Sequence, residues 1–596
     1  MEIRDRVKSL RNLMSEKKID AYMIPTADCH ESEYVGSYFK CREYMTGFTG
    51  SAGTMMVTQK EACLWTDGRY FVQAETEMDG SGILLMKMGE EGVPSIEAYV
   101  RKELPDGGVL GFDGRVVNAE MGEALERCAA ERGGTICCDV DLVGEIWNDR
   151  PALSSEPVWI LDEAYAGKCA ADKLDELKKA MKQAGAAIHI MTTLDDIVWL
   201  LNIRGNDIPT NPVALCYFVI TEEKYMIFVQ EKALDQAVRS YFEKNQIEVH
   251  PYEGIYELVK KLRNEKILLE KGKMNTVLWR SLDPSNVIID QMNPCSRMKA
   301  VKNETEMENI RRAHIKDGVA VTKFIYWLKK NIGKVHMDEM GVSDYLESLR
   351  KEQEGYLGPS FHTISAYGPN AAMCHYSVNE ENNTKLEPRG LYLVDSGGQY
   401  YEGTTDITRT VVMGPVTDEE REHFTLVLIS MLRLGAVKFL HGCRGISLDY
   451  VAREPFWSRG LDYNHGTGHG VGYLLNVHER PNSIRYRLVT DARENAELEE
   501  GMVTSDEPGL YIEGSHGIRT ENLVMCVKDE KNAYGQFMRF EFLTFVPIDV
   551  DGIDRELMTD RDVELLNEYH QQVYEKISPY LPEEEARWLW QVTAEI

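Results

Sequence analysis

Five residues in the second half of the chain have the types and the setting for metal chemistry: Asp395, Asp406, His469, Glu507 and Glu521. Asp395 follows the apolar run Leu391, Leu393, Val394, and Asp406 precedes the β-branched run Ile407, Thr408, Thr410, Val411, Val412. The stretch LYLVDSGGQYYEGTTDITRTVV, Leu391 to Val412, reads as two strands joined by a Gly-rich turn at Gly397, Gly398 and Gly403, with one carboxylate on each strand. Taken alone, aspartates beside glycine are most simply turn caps. But Glu507 in MVTSDEPGLYIEG and Glu521 in GIRTENLVMCV repeat the anomaly of an acid on a strand, and HGTGHGVGYLLNVHERP sets His465, His469 and His478 among glycines. If these strands share one sheet, four carboxylates and a histidine converge. Buried, unpaired carboxylates repel one another, so convergence calls for cations, and two divalent ions with a bridging hydroxide would balance the charge. Such an oxygen-rich set with one imidazole favours Mn²⁺, with Co²⁺, Fe²⁺ or Zn²⁺ as alternatives.

The elements that must position these residues follow from periodicity. The last ~300 residues begin with a charged helix, Glu304 to Lys329, and continue in strand-like segments, LYLVDS, DITRTVVM, MVTSDEP, GIRTENLVMCV and FEFLTFVPI, flanked by helices over Asp418–Leu440 and Asp560–Ser578. That pattern suits an α+β domain with a mostly antiparallel sheet backed by helices. The first half carries an internal repeat: VKSLRNLMSEKKIDAYMIPTAD (residues 7–28) aligns without a gap with LDELKKAMKQAGAAIHIMTTLD (174–195) at an offset of 167. Each copy reads as an amphipathic helix feeding an apolar strand that ends at Thr and Asp, which predicts two homologous α/β domains in tandem. NDRPALSSEPVW, Asn148 to Trp159, reads as the linker between them, and NPCSRMKAVKN, Asn293 to Asn303, as the second break.

At 596 residues the chain is too long for one core. The balance of 67 basic against 97 acidic residues, net −30, argues against nucleic acid or an anionic membrane as partner. No window approaches the ~18 uninterrupted apolar residues of a membrane span. The N-terminus is an amphipathic helix without a signal peptide's apolar stretch. The twelve cysteines lack paired spacing, which predicts reduced thiols in a cytoplasmic compartment. GTGHGVG does not complete GxGxxG, the Ser51 region lacks the first Gly of a nucleophile elbow, and there is no HExxH.

DSGG with a second Asp further on, then GTGHGVG, EPG and RTEN in that order resemble the metallopeptidases of the pita-bread fold, the group holding methionine aminopeptidase, prolidase, aminopeptidase P and creatinase. WTDGRYFVQAE, DDIVWLLNIRGNDIPTNPV, MKAVKNETE, SFHTISAYGPNAAMCHY and LLNEYHQQVYEKISPYL extend the likeness to the whole chain and look like the long, three-domain form of Xaa-Pro aminopeptidase. The resemblance implies two creatinase-like α/β domains, residues 1–155 and 156–297, before a pita-bread catalytic domain, 298–596. It also implies a homodimer acting on peptides with a penultimate proline through a dinuclear centre. Asp395 would serve one ion, Asp406 and Glu521 would bridge the pair, and His469 with Glu507 would hold the second. His375, His465 and His478 match the family's accessory histidines; Arg519 matches an arginine that orients the bridging carboxylates; His478 or Glu507 would supply the proton to the leaving proline nitrogen.

Arg69 is either a peptide contact or the partner of Asp67. Two departures from the family pattern are Arg480, where Gly is usual, and a longer polar loop around residues 490–500. A prolidase acting on Xaa-Pro dipeptides and a metal-free binding protein on the same fold are the alternatives; tandem N-terminal domains count against the first and the intact donor set against the second.

Overall fold

The computed structural model describes residues 1–487 and 495–596, so the part of the longer loop at residues 488–494 lies outside the described residues. By its internal contacts the chain divides into two compact units, residues 1–161 with 168–295, and residues 162–167 with 296–596.

The first unit holds two six-stranded sheets. One runs in the order Leu84–Lys87, Ala62–Thr66, Thr54–Thr58, Ala21–Pro25, Val109–Phe112, Thr135–Cys137; the other runs Ile247–Pro251, Tyr225–Val229, Cys216–Thr221, Ile188–Met191, Lys266–Leu269, Val287–Asp290. The two orders are the same when strands are matched in sequence, and so is the pattern of antiparallel and parallel neighbours. The repeat seen in the sequence is thus a repeat of the whole topology. Its helices show why. Val7, Leu10 and Met14 face inward from Ile3–Lys17, and Leu174, Leu177 and Met181 do the same from Ala170–Ala184, one buried stripe at helical spacing in each copy. The strands they cover are buried on both faces, as the apolar segments require.

The second unit is α+β, and all its strand neighbours are antiparallel. Its strands do not form one sheet. Ile364–Tyr367, Leu391–Ser396 and Ile407–Val412 make a three-stranded sheet. Lys438–Leu440, Gly535–Phe542, Asn522–Asn532, Val503–Asp506, Gly468–Gly470 and Glu479–Ile484 make a six-stranded one. The helix Glu304–Asn331 starts at a capping box between Asn303 and Glu306. Helices Asp418–Gly435 and Asp560–Ile577 pack Phe424, Leu428, Leu432, Leu566, Tyr569 and Val573 into a common core.

Two element boundaries differ from the sequence reading. The helix expected to reach Leu440 stops at Gly435, where the Phe542 ring occupies the space a Cβ would need, and Lys438–Leu440 is a strand. FEFLTFVPI stays a strand only to Phe542. Beyond it the carbonyl of Val546 accepts from Arg409 and Tyr569, and the Ile548 N–H donates to His570, so side chains take the place of a neighbouring strand.

Candidate dinuclear metal site

Asp395 sits inside a strand, opposite Ile364 on one side and Thr408 on the other. Asp406 immediately precedes the partner strand, so the hairpin aims both carboxylates at one end of the three-stranded sheet. The face that Asp406 begins continues through Thr408 and Thr410, by the alternation of a strand. That face joins the three-stranded sheet to the segment Arg519–Glu521, which runs from the short strand His516–Arg519 into the six-stranded sheet at Asn522. The Glu521 N–H donates to the Thr408 carbonyl at 3.1 Å, the Thr408 hydroxyl donates to Glu521 Oε2 at 2.8 Å, and the Thr410 hydroxyl donates to the Arg519 carbonyl at 2.9 Å. Glu521 itself stands at the break between the strands His516–Arg519 and Asn522–Asn532.

His469 and Glu507 come from the six-stranded sheet. The His469 N–H donates to Ser505 Oγ at 2.9 Å and the Glu507 N–H to the Thr467 carbonyl at 2.9 Å, which places the two side chains side by side. His469 Nε2 lies 3.4 Å from Glu507 Oε1 and 3.5 Å from Asp406 Oδ2. Asp406, His469 and Glu521 each bring a ligand atom within 4.8 Å of the others.

Arg519 closes the arrangement. Its Nη2 pairs with Asp395 Oδ2 at 2.5 Å, its Nε donates to the Thr408 hydroxyl at 3.1 Å, and its Nη1 donates to the Tyr511 hydroxyl at 2.6 Å. The Tyr511 hydroxyl in turn lies 2.9 Å from His465 Nε2. The His478 ring stands edge-on to His469, centroids 4.3 Å apart. His375 is half-buried in the turn after Gly368–Ala372, directly following Cys374, whose carbonyl lies 3.5 Å from Arg519 Nη2. Arg69, in the first unit, forms a bidentate pair with Asp67, both contacts at 2.8 Å.

Electrostatics set this place apart. Burial raises the carboxyl groups of Asp395, Glu507 and Glu521 above their ordinary values; the neighbouring carboxylates raise them further, and Arg519 opposes the rise at Asp395 and Glu507. Burial pushes the His469 imidazole down, but Asp406 and Glu507 more than reverse this and raise it to about 9. Asp395 Oδ1 is buried and has no hydrogen-bond partner, although Oδ2 of the same group is paired. Four carboxylates near one guanidinium and one imidazole, one of their buried oxygens without a hydrogen-bond partner, are a donor set that fits divalent cations. Sequence reasoning missed Thr408, Tyr511 and Asp506, the last a fully buried acid beside Glu507 with both oxygens unpartnered. The alternation Asp406, Thr408, Thr410 could have revealed the first; only the fold reveals the others.

The fold and this donor set define a class, and comparison with known proteins defines it in the same terms. Residues 6–141 and 149–306 each match the family described as creatinase/prolidase N-terminal domain, residues 308–528 match metallopeptidase family M24, and residues 536–596 match the C-terminal region of peptidase M24. A curated relative from Tuber melanosporum, "Probable Xaa-Pro aminopeptidase P", is 38% identical over 99% of both chains. A crystal structure of X-prolyl aminopeptidase from Caenorhabditis elegans, described as a cytosolic enzyme with a di-nuclear active site, superposes with a TM-score of 0.95 at 33% identity and covers 100% of both chains. An Xaa-Pro dipeptidase from Bacillus anthracis shares the fold at a TM-score of 0.50 and 22% identity, covering 64% of this chain and 99% of its own. The chain belongs to the Xaa-Pro aminopeptidase P family of M24 metallopeptidases.

Proposed function

We propose that this chain is a metalloaminopeptidase that hydrolyses the bond between an N-terminal residue and a penultimate proline. The observation that carries the reading is the cluster of Asp406, His469 and Glu521, with Glu507 beside His469 and Asp395 held by Arg519, in a chain whose relative named for this activity matches it end to end. In this reading residues 1–155 and 156–297 are the paired N-terminal domains and 298–596 the catalytic domain. Asp395 would help hold one ion, His469 and Glu507 the other, and Asp406 and Glu521 would contribute to both. Mn²⁺ suits the oxygen-rich set best, ahead of Co²⁺, Fe²⁺ and Zn²⁺. When bound, the ions supply Lewis acidity that polarises a carbonyl and acidifies water.

The chain's own residues do the rest. Arg519 fixes Asp395 and, through Tyr511, the ring of His465. His375, His465 and His478 meet the scissile peptide and the charge that develops on it. The proline nitrogen leaves only when protonated, and the proton comes from Glu507 or His478, the two groups beside His469. A prolidase restricted to dipeptides fits less well, because the chain carries two N-terminal domains in tandem. The free state of all twelve cysteines supports a cytoplasmic setting, and a homodimer is carried over from the sequence resemblance alone.

The test is hydrolysis of Xaa-Pro-Xaa tripeptides against Xaa-Pro dipeptides by the purified protein, before chelation, after it, and after Mn²⁺ is restored. Tripeptide cleavage that disappears with chelator, returns with Mn²⁺ and is absent in Asp406→Asn is expected. Cleavage indifferent to chelator, or confined to dipeptides, refutes the reading.

A further inference from the structure

The segment MKAVKN, Met298 to Asn303, is far in sequence from every residue of the site, yet it supplies two buried cations. Lys302 Nζ donates to the Val471 carbonyl at 2.7 Å and pairs with Glu479 Oε1; Lys299 Nζ donates to Glu479 Oε2 at 2.7 Å. The three side chains are 0%, 2% and 5% exposed for Lys302, Glu479 and Lys299. Taking charges of this kind out of water costs desolvation that offsets much of their mutual attraction, so the burial of this cluster is weak evidence for a purely stabilising role.

The attachment points of the three side chains indicate another role. Glu479 is the residue after His478, and Val471 is the second residue after His469. The strands Gly468–Gly470 and Glu479–Ile484 run antiparallel, but their register breaks between His469, opposite Ser483, and Gly470, opposite Glu479. At such a break the ladder no longer fixes how far apart the two chains lie. Lys302 spans it, with one ammonium on a backbone carbonyl of the first chain and on the carboxylate of the second. Its own backbone is tied to the Gly501 turn. The Lys302 N–H donates to the Gly501 carbonyl at 3.3 Å; Gly501 has φ +88°, and a Cβ there would lie 2.6 Å from the Lys302 carbonyl. Asn303, next in the chain, is the N-cap of the long helix.

We infer that Lys302, with Glu479 and Lys299, is a positioning device that sets the spacing of His469 and His478 across the register break. The inference deepens the proposed peptidase site and rests on that reading. Lys302 touches neither the donor atoms nor the substrate; it acts through the two histidines. Lys302→Met is the informative variant, because it leaves Lys299 and Glu479 as a matched pair, whereas Glu479→Gln would leave two ammonium groups facing each other.

The experiment is a double-mutant cycle on tripeptide cleavage with Lys302→Met and His478→Ala, together with Mn²⁺ titration of the metal-free proteins by calorimetry. In folded Lys302→Met, kcat is expected to fall about 10–100-fold, with Mn²⁺ affinity weakened about 10-fold. In the His478→Ala background at saturating Mn²⁺ the same change is expected to cost no more than about twofold in kcat, while the weakening of Mn²⁺ affinity, carried through His469, persists. Losses that multiply in the double variant, or an unchanged kcat in folded Lys302→Met, overturn the inference. If the parent protein cleaves no proline peptide, the functional reading has failed by itself, and the Mn²⁺ titration decides: unchanged affinity overturns the positioning role and weakened affinity sustains it. If Lys302→Met does not fold, Glu479→Asp, which keeps every charge and shortens the reach by one methylene, is read by the same two arms.

Discussion

Arg519 pairs with Asp395, the acid proposed for one ion, and with the Tyr511 hydroxyl that meets His465, and its planar fork makes both contacts at once. Arg519→Lys keeps the charge but loses the fork, so kcat/KM is expected to fall about 10–100-fold, with Mn²⁺ stoichiometry measured alongside; full activity would mean that Asp395 is oriented by something else. His469 gives a pH prediction. Its imidazole, raised to about 9 in the metal-free chain, is protonated at neutral pH, and a metal ligand must be neutral. Binding therefore expels a proton, and affinity rises as pH approaches 9 and falls below it; the raised carboxyls of Asp395, Glu507 and Glu521 act in the same direction. Calorimetry at pH 7 in buffers of different ionisation enthalpy should show release of about one proton or more per site filled, and none would remove His469 from the donor set. At this scale residue types were legible: acids on strands and histidines among glycines stand out in any sequence. The partners of those residues were not, because Thr408, Tyr511 and Lys302 are ordinary residues until the fold places them.

Among the elements, the hairpin of Asp395 and Asp406, whose turn is at Tyr401–Glu402, depends on how closely its two arms approach at Gly397. A Cβ on Gly397 would lie 2.0 Å from the Thr405 carbonyl and 2.3 Å from the Ser360 hydroxyl, so no side chain fits without parting the strands. Gly397→Ala is expected to lower stability by about 1–3 kcal/mol in chemical denaturation and to reduce bound Mn²⁺, since the same movement separates the two aspartates. Loss of stability with full metal content would show that this close approach supports the strands but not the site. The strands themselves were legible from their β-branched runs. Their division among separate sheets was not, because the junction is a set of hydrogen bonds between Thr408 and Thr410 and the segment Arg519–Glu521 that leaves no periodic trace.

In the first unit the two repeats are stitched together by buried polar contacts. His30 Nδ1 lies 2.8 Å from the Thr192 carbonyl and Nε2 2.7 Å from the Tyr252 hydroxyl; the Thr276 hydroxyl donates to the Val117 carbonyl at 2.8 Å, and the Ala119 N–H to the Met274 carbonyl at 2.8 Å. The two sheets should therefore lose hydrogen-exchange protection together, and His30→Ala should speed exchange in both; protection lost in one sheet alone would show that the repeats are independent. The sequence by itself determined the repeat, the apolar faces of its helices and the candidate donors, because periodicity and residue type are local properties of the chain. Only the tertiary structure decided which carboxylate oxygen is left unpaired, which threonine joins the sheets and which lysines reach the histidines. Those outcomes depend on register and packing between segments more than a hundred residues apart, where a shift of one strand position turns every side chain to the other face.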